Sequence, residues 1–227
     1  MKCWAKSIGN CDGKSLEHYV TKSIFSSGIV KVKGLHWCKE EKQVGLSGLG
    51  RKILCRNHNS LLSSLDSEAV NLMHALKYAV ELRGVRSKLK PQKWSVHRKF
   101  INGPNIERWF LKTLINLSYD EKDKYIVPLE ELADICYGKS KFKMPMGLYM
   151  AASKGDNISI DETFSMAPIW KDNSTLVGGI FEYAGFKHIL ALTNIDPYIK
   201  ENSGTYRLKR YRFEEHGYNS LEVQFNW

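Results

Sequence analysis

The sequence predicts an α+β chain with three zones: a small metal-stapled N-terminal module, central helices, and a β-rich C-terminal half. Three observations carry this. Four of the five cysteines fall before residue 56, in a stretch rich in Gly, Ser and Lys and poor in long periodic patterns. Apolar residues recur at threes and fours between about 67 and 137. From 147 onward, short bulky runs are separated by turn residues. With 227 residues and 43% hydrophobic content, the chain suffices for one large domain or two small ones. The zones divide as 1–83, the metal-stapled module with its following helix, and 84–227, a basic helical segment leading into the β-rich part. There is no internal repeat and no low-complexity tract.

The first zone is read from its ligand types. Cys55-Arg56-Asn57-His58 is a close pair of the kind that holds structural zinc. Cys3 and Cys11 form a looser pair, with seven residues between them. Cys3, Cys11, Cys55 and His58 are therefore the expected zinc ligands, with Cys38 and His36 as competitors for a position. A segment with so few large apolar residues needs such a staple. Glu17, His18 and Asn59 lie between and beside these ligands. A carboxylate, an imidazole and an amide brought to one point suit hydrolysis of a phosphodiester with a divalent metal. Adjacent strand residues face opposite ways, so Glu17 and His18 converge only at a strand end or bulge.

The helices follow. Ala69, Leu72, Met73, Leu76, Ala79 and Val80 predict a helix over about 67–83, capped by Asp66 or Ser67, with Glu68 in its first turn and Gly84 near its end. Residues 83–99 are strongly basic, and Pro91 interrupts any continuous helix there. A second amphipathic helix carries Ile106, Trp109, Phe110, Thr113, Leu114 and Leu117 on one face. Arg108 and Lys112 form a like-charge i,i+4 pair on it, unfavourable unless something anionic lies nearby. A third helix runs from Pro128 to about Tyr137. Cys136, within it, reads as a small buried apolar residue. Predicted strands are Gly147–Ala151, Ile158–Ile160, Phe164–Trp170, Val177–Tyr183, Phe186–Thr193, Thr205–Phe213 and Leu221–Trp227. Ala184-Gly185 is the turn of a hairpin.

The net charge of +10 favours a polyanionic partner, with nucleic acid ahead of an anionic membrane surface. Lys88, Lys90, Lys93, Arg98 and Lys99, together with the Arg/Lys-rich strand at 205–212, are the expected nucleic-acid contacts. No apolar run approaches the length of a membrane span, and the N-terminus lacks the apolar core of a signal peptide. A cytoplasmic protein is expected, and its clustered cysteines favour metal over disulfides.

Leu16-Glu17-His18-Tyr19-Val20, followed by Leu54-Cys55-Arg56-Asn57-His58-Asn59 and Leu65-Asp66, resembles the HNH endonuclease family, in its bacterial Glu-His…Cys-x-x-Cys/His-Asn variant. The resemblance covers the first third of the chain. It implies a ββα-metal fold stapled by zinc, His18 as general base, and Glu17 and Asn59 holding Mg²⁺ or Mn²⁺ at the scissile phosphate. It also implies DNA ahead of RNA as substrate, low sequence specificity, and a setting such as bacterial phage defence. The family's middle Asn has no counterpart between residues 19 and 54. The rival reading is a zinc-stapled nucleic-acid or protein-binding module without catalysis. The C-terminal half would serve a homodimer or partner contact.

Overall fold

The computed structural model describes residues 2–25, 29–34, 37–119, 124–151, 164–172 and 174–227. In chain order the N-terminal zone contains β1 (Glu17–His18), β2 (Ile29–Val32), β3 (Lys42–Gly45), β4 (Gly50–Arg51), α1 (Arg56–Leu61) and α2 (Ser63–Arg86). The middle contains β5 (His97–Asn102), α3 (Gly103–Ser118), β6 (Lys124–Tyr125) and α4 (Leu129–Cys136). Then come β7 (Gly147–Ala151), β8 (Phe164–Lys171), β9 (Thr175–Tyr183), β10 (Phe186–Ala191), α5 (Asp196–Glu201), β11 (Thr205–Tyr206), β12 (Arg210–Glu215) and β13 (Tyr218–Asn226). The mixed α+β character and the β-rich C-terminal half are as expected. The strand expected at Ile158–Ile160 lies outside the described residues.

The strands form three sheets among the described residues. A large one has the order β11-β7-β10-β9-β8-β2-β3, with β6 beside β9. A second has the order β12-β13-β5, and a two-stranded ribbon joins β1 to β4. The β9–β10 hairpin closes through Ala184 and Gly185, at φ 51° and 81°, with Tyr183 opposite Phe186. A two-residue turn with both φ values positive matches the right-handed twist of the strands. Pro168 lies in β8 beyond Met166, where the pairing with β2 stops, so its missing N–H falls at a free stretch of strand edge.

α3 is the central element. Asn102 caps it by accepting from the Asn105 amide, and Pro104 sits in its first turn. The expected apolar stripe is there, but the helix is buried almost all round, including Glu107, Lys112 and Asn116. It packs on α2 and α4, on β10 of the large sheet, and on β5 and β13 of the small one. α4 begins after Pro128 with Glu130 and Glu131 in its first turn, where the helix dipole favours acids.

Three expectations about elements are corrected. α2 starts at Ser63, not 67, and its N-cap Leu62 makes no side-chain capping bond. Asp66 is engaged elsewhere, and Glu68 accepts the Asn102 amide at 2.8 Å. The basic run, given no strand in the sequence, forms β5 from 97 onward, parallel to β13. The strand expected over Thr205–Phe213 is two strands in two sheets, because Arg207, at φ 43°, turns the chain between β11 and β12. β2 and β3 belong to the large sheet, and one apolar cluster runs from Trp4 to Phe225.

Candidate metal centre and the buried ion cluster beside it

The loop before β1 is sewn to the segment before α1 by backbone bonds. Trp4 N donates to Ile53 O at 3.0 Å and Arg56 N to Asp12 O at 2.9 Å, while Lys14 bridges to Cys55. A tight turn at Lys6–Ile8, then Gly9 and Asn10 at φ 90° and 54°, folds the long Cys3–Cys11 spacer back on itself. This is how seven intervening residues still make a knuckle. Asn57 Nδ2 fastens it by donating to Asn10 O at 2.9 Å.

The result is a cluster that could hold a metal such as zinc. The ligand atoms of Cys3, Cys11, Cys55 and His58 lie within 4.8 Å of one another. His58 turns Nδ1 to the thiols, 3.3 Å from Cys3 Sγ and 3.6 Å from Cys11 Sγ. Three sulfurs and one imidazole are a donor set that zinc takes tetrahedrally. The surroundings fit as well. The His58 amide donates to Cys55 Sγ at 3.3 Å, Tyr137 Oη donates to His58 O at 2.9 Å, and the Tyr137 ring packs edge-on against the imidazole. Burial raises the Cys3 thiol to about 12. Burial also opposes ionisation of Cys55, but the His58 and Asp12 backbone contacts and the neighbouring thiols outweigh it, and its pKa falls below the usual thiol value. Cys38 is no competitor: it is buried apart, donating to Glu40 O at 3.2 Å. His36 lies outside the described residues. Cys136 is a buried core thiol, pushed up to about 12 by that burial.

β1 and β4 pair antiparallel, Glu17 opposite Arg51 and His18 opposite Gly50, and α1 follows. Asn59, on α1, donates through Nδ2 to Ser15 Oγ at 2.8 Å, so the helix is tied to the lead-in of β1. His18 is half-buried. Glu17 departs from expectation. Its neighbour on the strand takes the other face, and its carboxylate is buried against α3, with Lys112 Nζ at 2.8 Å and Asn116 Nδ2 at 3.1 Å. A carboxylate so engaged does not fit the role of ligand to a catalytic ion beside His18.

This contact belongs to a buried polar chain that the sequence reading missed. Trp4 Nε1 donates to Asn116 Oδ1 at 3.0 Å. Lys112 Nζ donates to both Asp66 oxygens at 2.8 Å. Asp66 also accepts from Thr21 Oγ1, which accepts from Trp109 Nε1 at 2.8 Å. Burial alone would lower the Lys112 pKa, but the Glu17 and Asp66 carboxylates outweigh it and raise it. Burial raises Glu17, and Lys112 only partly offsets this. Two carboxylates around one ammonium leave the cluster net negative, so a proton is held more tightly at both. The available signal was the Arg108/Lys112 pair: the anion it required is Glu17 with Asp66.

The expected basic contacts divide. Lys88, Lys90 and Lys93 are exposed between α2 and β5. Arg98 and Lys99 sit on opposite faces of β5, Arg98 near Glu222 at 3.5 Å and Lys99 over the Tyr78 ring. In the 205–212 segment, Arg207 is clamped by Glu107 through two bonds of 3.1 and 2.9 Å, so it serves the fold. No helix among the described residues is long and apolar enough to cross a membrane. No protein-family model, curated protein or solved structure matches the chain.

Proposed function

We propose that this chain is a metal-dependent HNH-type endonuclease that hydrolyses phosphodiester bonds in DNA with low sequence specificity. The observation that carries the reading is the order of parts around the Cys/His cluster. An antiparallel ribbon bearing His18 is followed by a helix bearing Asn59, and the two are tied together at Ser15. The net charge of +10 supports a polyanionic substrate. Zinc held by Cys3, Cys11, Cys55 and His58 would be structural, because four protein ligands leave no open position for water.

His18 accepts a proton from water, and the oxygen attacks phosphorus in line with the departing 3′ oxygen. Glu17 does not ligate an ion; fixed by Lys112 and Asn116, it anchors the strand that carries His18. An Mg²⁺ or Mn²⁺ ion on the Asn59 carbonyl and the substrate's own phosphate oxygens would offset the charge that develops there. Without a protein carboxylate such a site is weak, so activity should saturate only at high ion concentration. The test is nicking of supercoiled plasmid with and without added Mg²⁺ or Mn²⁺. Ion-dependent nicking that co-purifies with the protein supports the proposal. Its absence at every ion concentration leaves a zinc-stapled binding module.

A further inference from the structure

The outer face of the three-stranded sheet carries a pattern that the proposed chemistry does not use. Leu221, Val223 and Phe225 of β13, Tyr211 and Phe213 of β12, and Ile101 of β5 are buried beneath it. The alternate residues face outward in two adjacent rungs. One rung is Arg212–Glu222–Arg98 and the next is Arg210–Gln224–Phe100. Phe100 is 61% exposed. Glu222, in the centre, is buried beneath its neighbours, with Arg98 and Arg212 at 3.5 Å and Arg210 at 4.0 Å. Gln224 Nε2 donates to the same carboxylate at 2.8 Å. Glu214, beyond the bulge after Phe213, is the other acid on this side of β12.

One carboxylate cannot saturate three guanidinium groups, each with five donors in a planar fork. Glu222 instead holds the three in place, so their remaining donors are oriented toward solvent at little entropic cost. An exposed phenylalanine among oriented arginines is poorly explained by stability, since so exposed a ring buries little apolar area. It is well explained by a ligand with flat rings and regularly spaced phosphates. Strands about 4.8 Å apart set Arg98 and Arg212 roughly 10 Å from each other across the face, with the ring and the amide on the next rung.

We propose that this face binds single-stranded nucleic acid, with Phe100 stacking on a base, Gln224 beside it, and Arg98, Arg210 and Arg212 on the flanking phosphates. A duplex keeps its bases stacked inside and offers the ring nothing, so the platform selects unpaired strands. The surface is separate from His18, and its occupancy does not require cleavage.

Fluorescence anisotropy of labelled oligothymidylate, oligouridylate and a duplex of equal length, without added divalent ion, tests this. The single strands should bind more tightly than the duplex, and whichever of DNA or RNA is preferred identifies the sugar. Phe100→Ala should weaken single-strand binding about tenfold while Phe100→Trp retains it. Arg212→Gln should reduce the slope of log affinity against log salt by about 0.7. Both Phe100 variants should melt with the parent, because the replaced ring is exposed. Equal affinity for duplex and single strand, with Phe100→Ala unchanged, overturns the proposal. So does an absence of oligonucleotide binding.

Discussion

Lys112 joins the N-terminal module to the helical layer, and its burial between two carboxylates makes it sensitive to substitution. Its side chain is 4% exposed and its ammonium group touches Glu17 and Asp66 together. Lys112→Met strands both carboxylates, and breaking a buried pair from one side costs about 3–5 kcal/mol. A urea midpoint should fall accordingly, and Glu17→Gln in the same chain should recover part of the loss. The pH dependence follows from the raised Lys112 pKa. A group held more protonated in the folded state contributes stability that is complete below its ordinary value of 10.5 and disappears as pH rises through the raised one. Melting curves across the alkaline range should show a steeper loss in the parent than in Lys112→Met. At this scale the sequence was half legible. The Cys/His cluster could be read because residue type and spacing constrain it, even with the long Cys3–Cys11 spacer. The partner of Glu17 could not, because Lys112 and Asn116 lie about a hundred residues away in the chain.

Elements built from local pattern were the readable ones. α4 and the β9–β10 hairpin match expectation because Pro128, and Ala184 with Gly185, set their geometry locally. β5 was not readable, since five exposed residues out of six hide its strand character, and its parallel partner β13 lies more than a hundred residues on. β2 and β3 were missed for the same reason: they are short, and their place in the large sheet depends on β8. Two predictions belong here. Gly178 lies where β9 meets β10, and a Cβ there would come 2.5 Å from the Leu190 carbonyl oxygen. Gly178→Ala should cost about 1–3 kcal/mol, lowering the melting temperature by about 2–4 °C for each. The Cys/His cluster closes the β1–β4–α1 unit, so purified protein should carry about one zinc per chain. Cys55→Ser should lose the metal and melt earlier, as read by elemental analysis and calorimetry on the same samples. Metal-free native protein with an unchanged melting temperature would contradict the staple.

For the molecule as a whole, the exposed positive charge is the feature to test. Lys88, Lys90 and Lys93 are exposed in the connection to β5. Reversing all three should weaken binding to duplex DNA and flatten its salt dependence by nearly one per lost phosphate contact, with no change in folding. The fold itself, with α3 between two sheets, was legible only as a class, because the strands that build each sheet come from distant parts of the chain. The catalytic reading rests on His18, and one comparison reaches it most directly. The rates of plasmid nicking by the parent and by His18→Ala should be measured at saturating Mn²⁺, with zinc content and melting temperature matched between the two. A general base of this kind contributes about 10²–10⁴-fold to turnover, so the variant should bind DNA like the parent and cleave it slower by that factor. Equal cleavage by the two proteins would contradict the assignment of His18 and, with it, the reading of this chain as an HNH-type nuclease.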